Sequence, residues 1–145
     1  HMDFARAHIL RALSGQLIGQ IARLISTQFG PSDTMPNTLL NRKFEALLDA
    51  KFQFQWSVAQ YATALAVTPG HLSRVMRDAT GLSASKNIDA RIVREAKRNL
   101  TYTSLTMSEI AYDLGYIDPA YFSRVFTRTA GISPRQFRQN LLKRS

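Results

Sequence analysis

A twelve-residue stretch of this chain occurs twice, fifty positions apart. Residues 72–83, Leu-Ser-Arg-Val-Met-Arg-Asp-Ala-Thr-Gly-Leu-Ser, return at 122–133 as Phe-Ser-Arg-Val-Phe-Thr-Arg-Thr-Ala-Gly-Ile-Ser. Five of the twelve are identical, and only Ala79, which becomes Thr129, loses its apolar character. An internal repeat means one supersecondary unit used twice, so the fold must be built from two copies of something small. Apolar residues within each copy recur at three- and four-residue steps, so the unit is helical.

The flanking punctuation gives the unit its shape. Ser57-x-x-Gln60 is a capping box, and Val58, Tyr61, Ala62 and Leu65 follow it on one face. Thr68-Pro69 places an N-cap before a first-turn proline, which has no amide to leave unsatisfied. That helix is expected to end near Gly81. In the second copy Thr106-x-x-Glu109 opens the first helix, Gly115 stops it, Asp118-Pro119 opens the next and Gly131 ends it. A short capped helix, a tight turn and a second helix make a helix-turn-helix. The distance from Ala62 to Leu72 is ten residues and from Ala111 to Phe122 eleven, so the second turn, Gly115-Tyr116-Ile117, carries one extra residue.

The remaining segments also read as helices. Leu39, Leu40, Phe44, Leu47, Leu48 and Phe52 define one before the first unit. Ser85 to about Leu100, with Ile88, Ile92, Ala96 and Leu100 four apart, joins the two units. Ser133-Pro134-x-Gln136 opens the last helix, with Phe137, Leu141 and Leu142 expected inward. Residues 3–29 form a further helix with Leu10, Leu13, Leu17, Ile21, Leu24 and Ile25 at helical spacing. Residues 30–37, with Gly30, Pro31 and Pro36, read as a linker. No segment alternates with period two. The expected class is all-α: two helix-turn-helix units on a long central helix, homeodomain-like, spanning 38–145 and preceded by one N-terminal helix. His1-Met2 reads as a cloning scar.

Charge narrows the partners. The chain carries 19 Lys and Arg against 10 Asp and Glu, a net charge of +9, and 16 of those basic residues lie in 38–145. Such a surface attracts anions, nucleic acid among them. There is no cysteine, which excludes disulfides, thiolate metal sites and cysteine nucleophiles. His1, His8 and His71 lack metal-ligand spacing, and no Gly-x-Ser-x-Gly elbow or Gly-rich phosphate loop occurs. We expect no enzyme activity, no cofactor, no metal and no membrane span.

In each copy the second helix must bury one stripe and offer the other. Leu72, Val75, Met76 and Ala79 are expected inward, leaving Gly70, Ser73, Arg74 and Arg77 outward. In the second copy Phe122, Val125 and Phe126 go inward, and Ala120, Ser123, Arg124 and Thr127 outward. Small, polar and arginine side chains suit a helix in a DNA major groove. Small residues let the backbone approach base edges, and arginine can donate two hydrogen bonds to guanine. His71, Arg77, Thr127, Arg128, Arg135 and Arg138 are the candidate phosphate contacts, which fix register without reading sequence.

Residues 115–126, Gly-Tyr-Ile-Asp-Pro-Ala-Tyr-Phe-Ser-Arg-Val-Phe, with 131–138, Gly-Ile-Ser-Pro-Arg-Gln-Phe-Arg, resemble the signature of the AraC/XylS transcription regulators. Arg91-Ile92, Glu95-Ala96 and Leu100 match that family's central helix. Tyr61-Ala62, Leu65, His71-Leu72-Ser73-Arg74 and Thr80-Gly81 match its first unit. Gly70, Met76 and Asn87 depart from the common pattern. The resemblance covers about residues 39–140. It implies a seven-helix domain whose recognition helices, about 69–80 and 119–130, enter successive major-groove faces of double-stranded DNA. The base-reading positions it implies are Gly70, Ser73 and Arg74, then Pro119, Ala120, Ser123 and Arg124. It further implies a cytoplasmic, nucleoid-associated bacterial regulator that meets RNA polymerase. A small-molecule effector would act through a sensor domain outside this chain. Residues 3–29 are either the last helix of such a domain, pairing two chains in a homodimer, or an appendage folded onto the core. The alternative function is a nonspecific architectural nucleic-acid binder, whose affinity would not depend on sequence. A further one is an interaction module that has lost DNA binding.

Overall fold

The computed structural model describes residues 35–144, so the expected N-terminal helix over 3–29 and the linker as far as residue 34 lie outside the described residues. Seven α-helices follow in order: α1 Asn37–Lys51, α2 Val58–Ala64, α3 Pro69–Thr80, α4 Ala84–Tyr102, α5 Met107–Asp113, α6 Pro119–Ala130 and α7 Pro134–Arg144. A short 3-10 helix, Phe52–Phe54, links α1 to α2, so Phe52 falls just beyond the helix in which it was expected. Among the described residues there is no strand.

The starts of these helices are set by their caps. Ser57 and Gln60 close the reciprocal capping box, with Ser57 Oγ accepting from the Gln60 amide and Gln60 Oε1 from the Ser57 amide. Thr68, Ser83, Thr106 and Asp118 each accept a first-turn amide. The central helix therefore starts at Ala84, one residue earlier than expected, and runs two residues past Leu100. At ~1.5 Å per residue its 19 residues span roughly 28 Å.

The apolar stripes meet on α4. Ile88, Ile92, Val93, Ala96 and Leu100 are buried there, and α1, α3, α5, α6 and α7 all pack against this helix. In the first unit Phe44 and Trp56 stand edge-on to Tyr61, with ring centroids 5.4 and 5.3 Å away. In the second, Tyr116, Phe122, Phe126 and Phe137 form a continuous run of contacting rings.

Two residues expected inward are exposed. Ala79 lies in the last turn of α3, beyond the edge of the core, and its repeat counterpart Thr129 is exposed as well. The single position at which the repeat loses apolar character is thus one that neither copy buries. Leu142 is 71% exposed in the final turn of α7.

The two turns are the same structure with one insertion. Val67 donates its amide to the Ala62 carbonyl, and Tyr116 does the same to Ala111, each at 3.0 Å. The residue before each donor is left-handed: Ala66 at φ +58 and Gly115 at φ +88. The extra residue of the second turn is Ile117, which protrudes at 96% exposure ahead of α6.

Candidate nucleic-acid interface

The helices α3 and α6 each bury one stripe and leave the other open. Leu72, Val75 and Met76 are buried on α3; Phe122, Val125 and Phe126 occupy the same places on α6. Met76, a departure from the family pattern, is a fully enclosed core residue. On the open side of α3, Gly70, Arg74 and Arg77 are exposed and Ser73 is half-buried. On α6, Ala120, Arg124 and Thr127 are exposed, and Pro119 and Ser123 are half-buried. Nothing lies within 4 Å of where a Cβ at Gly70 would stand, so the absent side chain leaves an open notch in that face.

The arginines differ in how they are held. Arg124 sits over the Tyr121 ring, Cζ 5.7 Å from its centroid, and Tyr121 in turn lies 5.9 Å from Tyr116. This cation–π contact presets the Arg124 side chain. The signal was present in the sequence, because an aromatic three residues before an arginine shares its helix face. Arg128 donates to Asp89 of α4 at 3.3 Å. Burial raises the Asp89 carboxyl above its usual range, while Arg128 pulls it back down. Arg135 is exposed in the first turn of α7.

Three of the six candidate phosphate contacts have their polar side-chain atoms engaged within the fold: Arg128 with Asp89, Thr127 with the Ser123 carbonyl and Arg138 with backbone carbonyls. Arg138 has all three guanidinium nitrogens committed to backbone carbonyls: Leu100 at 3.2 Å, Leu105 at 2.6 Å and Thr103 at 3.1 Å. It closes the C-terminal end of α4, where four carbonyls lack intrahelical partners. These three bonds give Arg138 a structural role. His71 has its Nε2 enclosed without a hydrogen-bond partner, so Nδ1 is the ring nitrogen left for an outside anion.

Asn87, another departure, also holds a helix end. Its Nδ2 donates to Thr80 Oγ1 and to the carbonyls of Leu82 and Ser83, pinning the end of α3 to the start of α4. Arg91 is likewise internal, 2.6 Å from Asp49 and stacked on Phe52.

Among the described residues the charge is 16 basic against 8 acidic, a net of +8. Asp49, Glu95 and Asp89 are used in ion pairs with Arg91, Arg94 and Arg128. Arg74, Arg77, Arg124 and Arg135 remain as exposed cations on or beside the two open faces. No group of His, Asp or Glu among the described residues could hold a metal ion, and none of these helices is long and apolar enough to cross a membrane.

A family model described as a helix-turn-helix domain matches residues 61–140, from the first helix of the first unit to the middle of α7. The chain belongs to the AraC-type family of helix-turn-helix DNA-binding domains. It is 34% identical over 110 residues to the transcriptional activator RhaR of Cronobacter sakazakii, a match covering 76% of this chain and 38% of the relative. The chain thus spans well under half the length of that protein. The C-terminal domain of AraT, a response regulator from Geobacillus stearothermophilus, is 28% identical, with TM-score 0.63, over 73% of this chain and 86% of that one. The DNA-binding domain of AdpA, a global transcriptional factor solved with a target DNA, shares the fold at 23% identity and TM-score 0.64, over 72% and 94% of the two chains.

Proposed function

We propose that this AraC-type domain binds double-stranded DNA sequence-specifically for a bacterial transcription regulator, with α3 and α6 as its two readers. The observation that carries the reading is the pair of capped, proline-opened helices that share one central helix and both leave a serine–arginine face uncovered. Gly70, Ser73 and Arg74 read one box; Pro119, Ala120, Ser123 and Arg124 read the other. Arg77, Thr127, Arg128, Arg135 and the outer edge of His71 meet phosphates.

The two faces differ, so the monomer's site is asymmetric. Successive major-groove faces lie about 34 Å apart on straight B-DNA, against roughly 28 Å for the central helix. Both helices insert together if the DNA bends toward the protein, at about 1–6 kcal/mol that added contacts must offset. Otherwise one helix reads bases while the other rests on the backbone. In the intact regulator RNA polymerase is the second macromolecular partner, and an effector acts through a sensor domain outside this chain. Its place is the bacterial cytoplasm, on the nucleoid.

Selection of bound sequences from random duplex DNA tests the reading. Arg74→Ala and Arg124→Ala are expected to cost about 1–3 kcal/mol each on the preferred site and to relax different base pairs. Arg135→Ala weakens all sequences alike. Affinity should fall with a log–log salt slope of roughly −4 to −8, for about five to nine phosphate contacts. Selection without any sequence preference would establish the architectural alternative instead. A slope near zero would remove nucleic acid altogether.

A further inference from the structure

The two helix-turn-helix units meet at a second place besides the central helix. The segment after α1 crosses to the turn of the second unit. The position of a Cβ on Gly115 lies 2.1 Å from the Gln53 carbonyl oxygen and 3.2 Å from Gln55 Cγ, so the two backbones touch with no room for a side chain. Gln55 takes a left-handed conformation at φ +55, rare for a residue with a Cβ. From there its Nε2 donates to the Leu114 carbonyl at 2.9 Å. Tyr116, two residues on from Leu114, is only 6% exposed. At its other end the segment is anchored to the first unit and α4, because Phe52 is buried beneath the Arg91 guanidinium, 4.1 Å above the ring.

Both units pack on α4, and the strap adds a direct contact between them that bypasses that helix. The strap ends on Leu114–Tyr116, three residues before α6 begins, so it acts directly on the aim of the second recognition helix. We propose that Gln55 is a positioning residue that fixes the pose of α6 relative to α3 and thereby sets the number of base pairs tolerated between the two DNA boxes. This rests on the tandem-reader function proposed above. One base pair added between boxes displaces the second by ~3.4 Å and rotates it by ~36°, a mismatch that a locked pair of helices cannot follow.

The test variant is Gln55→Gly. Glycine accepts the positive φ without strain, so the backbone path is kept while the tether to Leu114 is lost. Affinity is measured on duplexes whose box spacing is changed by one base pair in each direction. The unaltered chain is expected to lose at least 10-fold at either change. Gln55→Gly should lose 3-fold or less, with its affinity for a single isolated box within 2-fold of the parent. An unchanged spacing profile in the variant overturns the proposal.

A second measurement needs no DNA. The chain has no cysteine, so Asp78→Cys and Thr129→Cys, at the exposed ends of α3 and α6, accept a pair of spin labels cleanly. Their distance distribution should be narrow in the parent and broader with Gln55→Gly. Equal widths overturn the proposal. If the parent binds no duplex DNA, the function reading fails, and the distance distribution alone decides whether Gln55 fixes the pose.

Discussion

Gly115→Ala should destabilise this fold far more than Gly131→Ala, although the two glycines have nearly the same backbone conformation. Their φ values are +88 and +85. A left-handed alanine costs about 1–2 kcal/mol, and the loss of chain entropy in the unfolded state returns about 0.4–1. For Gly131 that is the whole balance, because nothing lies within 4 Å of its would-be Cβ, and the net cost is about 1 kcal/mol. At Gly115 the new methyl would stand 2.1 Å from the Gln53 oxygen and 3.0 Å from its carbonyl carbon. Relief needs a movement of over ~1 Å, which costs about 1–3 kcal/mol by analogy with overpacked cores. It also pulls Gln55 off the Leu114 carbonyl, for about 1 kcal/mol more. The total is about 3–5 kcal/mol, a large share of the ~5–15 kcal/mol that holds a domain together. With ~2.1 cal/mol/K of unfolding entropy per residue over roughly 110 described residues, each kcal/mol moves Tm by about 4 °C. Thermal and urea melts followed by circular dichroism should therefore show Tm drops near ~12–20 °C for Gly115→Ala and near ~4 °C for Gly131→Ala. Losses within about 0.5 kcal/mol of each other would mean that the Gln53 contact does not constrain the turn.

Three further outcomes follow from other positions. Ala66 holds the same left-handed place in the first turn at φ +58, so Ala66→Gly should raise stability by about 0.5–1 kcal/mol, and a lowered Tm would contradict the strain argument. Arg138→Ala should cost about 2–3 kcal/mol of stability yet leave the salt slope of DNA binding unchanged, whereas Arg135→Ala should reduce that slope by about 0.9 with little change in Tm; the reverse pattern would restore Arg138 as a phosphate contact. Burial pushes the phenols of Tyr61 and Tyr116 from 10 up to about 12, so the folded chain keeps two protons that the unfolded chain releases. Their contribution is complete below pH 10 and is lost as pH rises toward 12, by up to about 2–3 kcal/mol for each phenol. Urea titrations at pH 9 and pH 11.5 should show this loss, and Tyr61→Phe should reduce it.

The site was legible where its residues are close in sequence. The outward faces of α3 and α6 follow from helical spacing within a dozen residues, and Gly70, Arg74, Ala120 and Arg124 stand exposed as that spacing requires. The roles of Arg138 and Asn87 were not legible. A basic residue on a late helix reads as surface charge until the carbonyls of residues 100–105 are seen beside it, 33 to 38 positions back in the chain. Asn87 carries no sign that its amide faces the end of the preceding helix.

What the sequence alone determined lies among contacts three to five residues long. The caps at Ser57, Thr68, Thr106 and Asp118, the stop at Gly115 and the buried stripes are local hydrogen bonds and helical periodicity, and the residue order states them directly. The repeat added the pairing of the two units. Only the tertiary structure decided how those units are joined and which charges stay free. Gln55 meets Leu114 across 59 residues, Arg128 meets Asp89 across 39, and Arg91 meets Asp49 across 42. Such partners are chosen by where the packed helices bring the side chains. A polar residue far along the chain carries no periodicity to announce its partner, and so these contacts exist only once the core around α4 has formed.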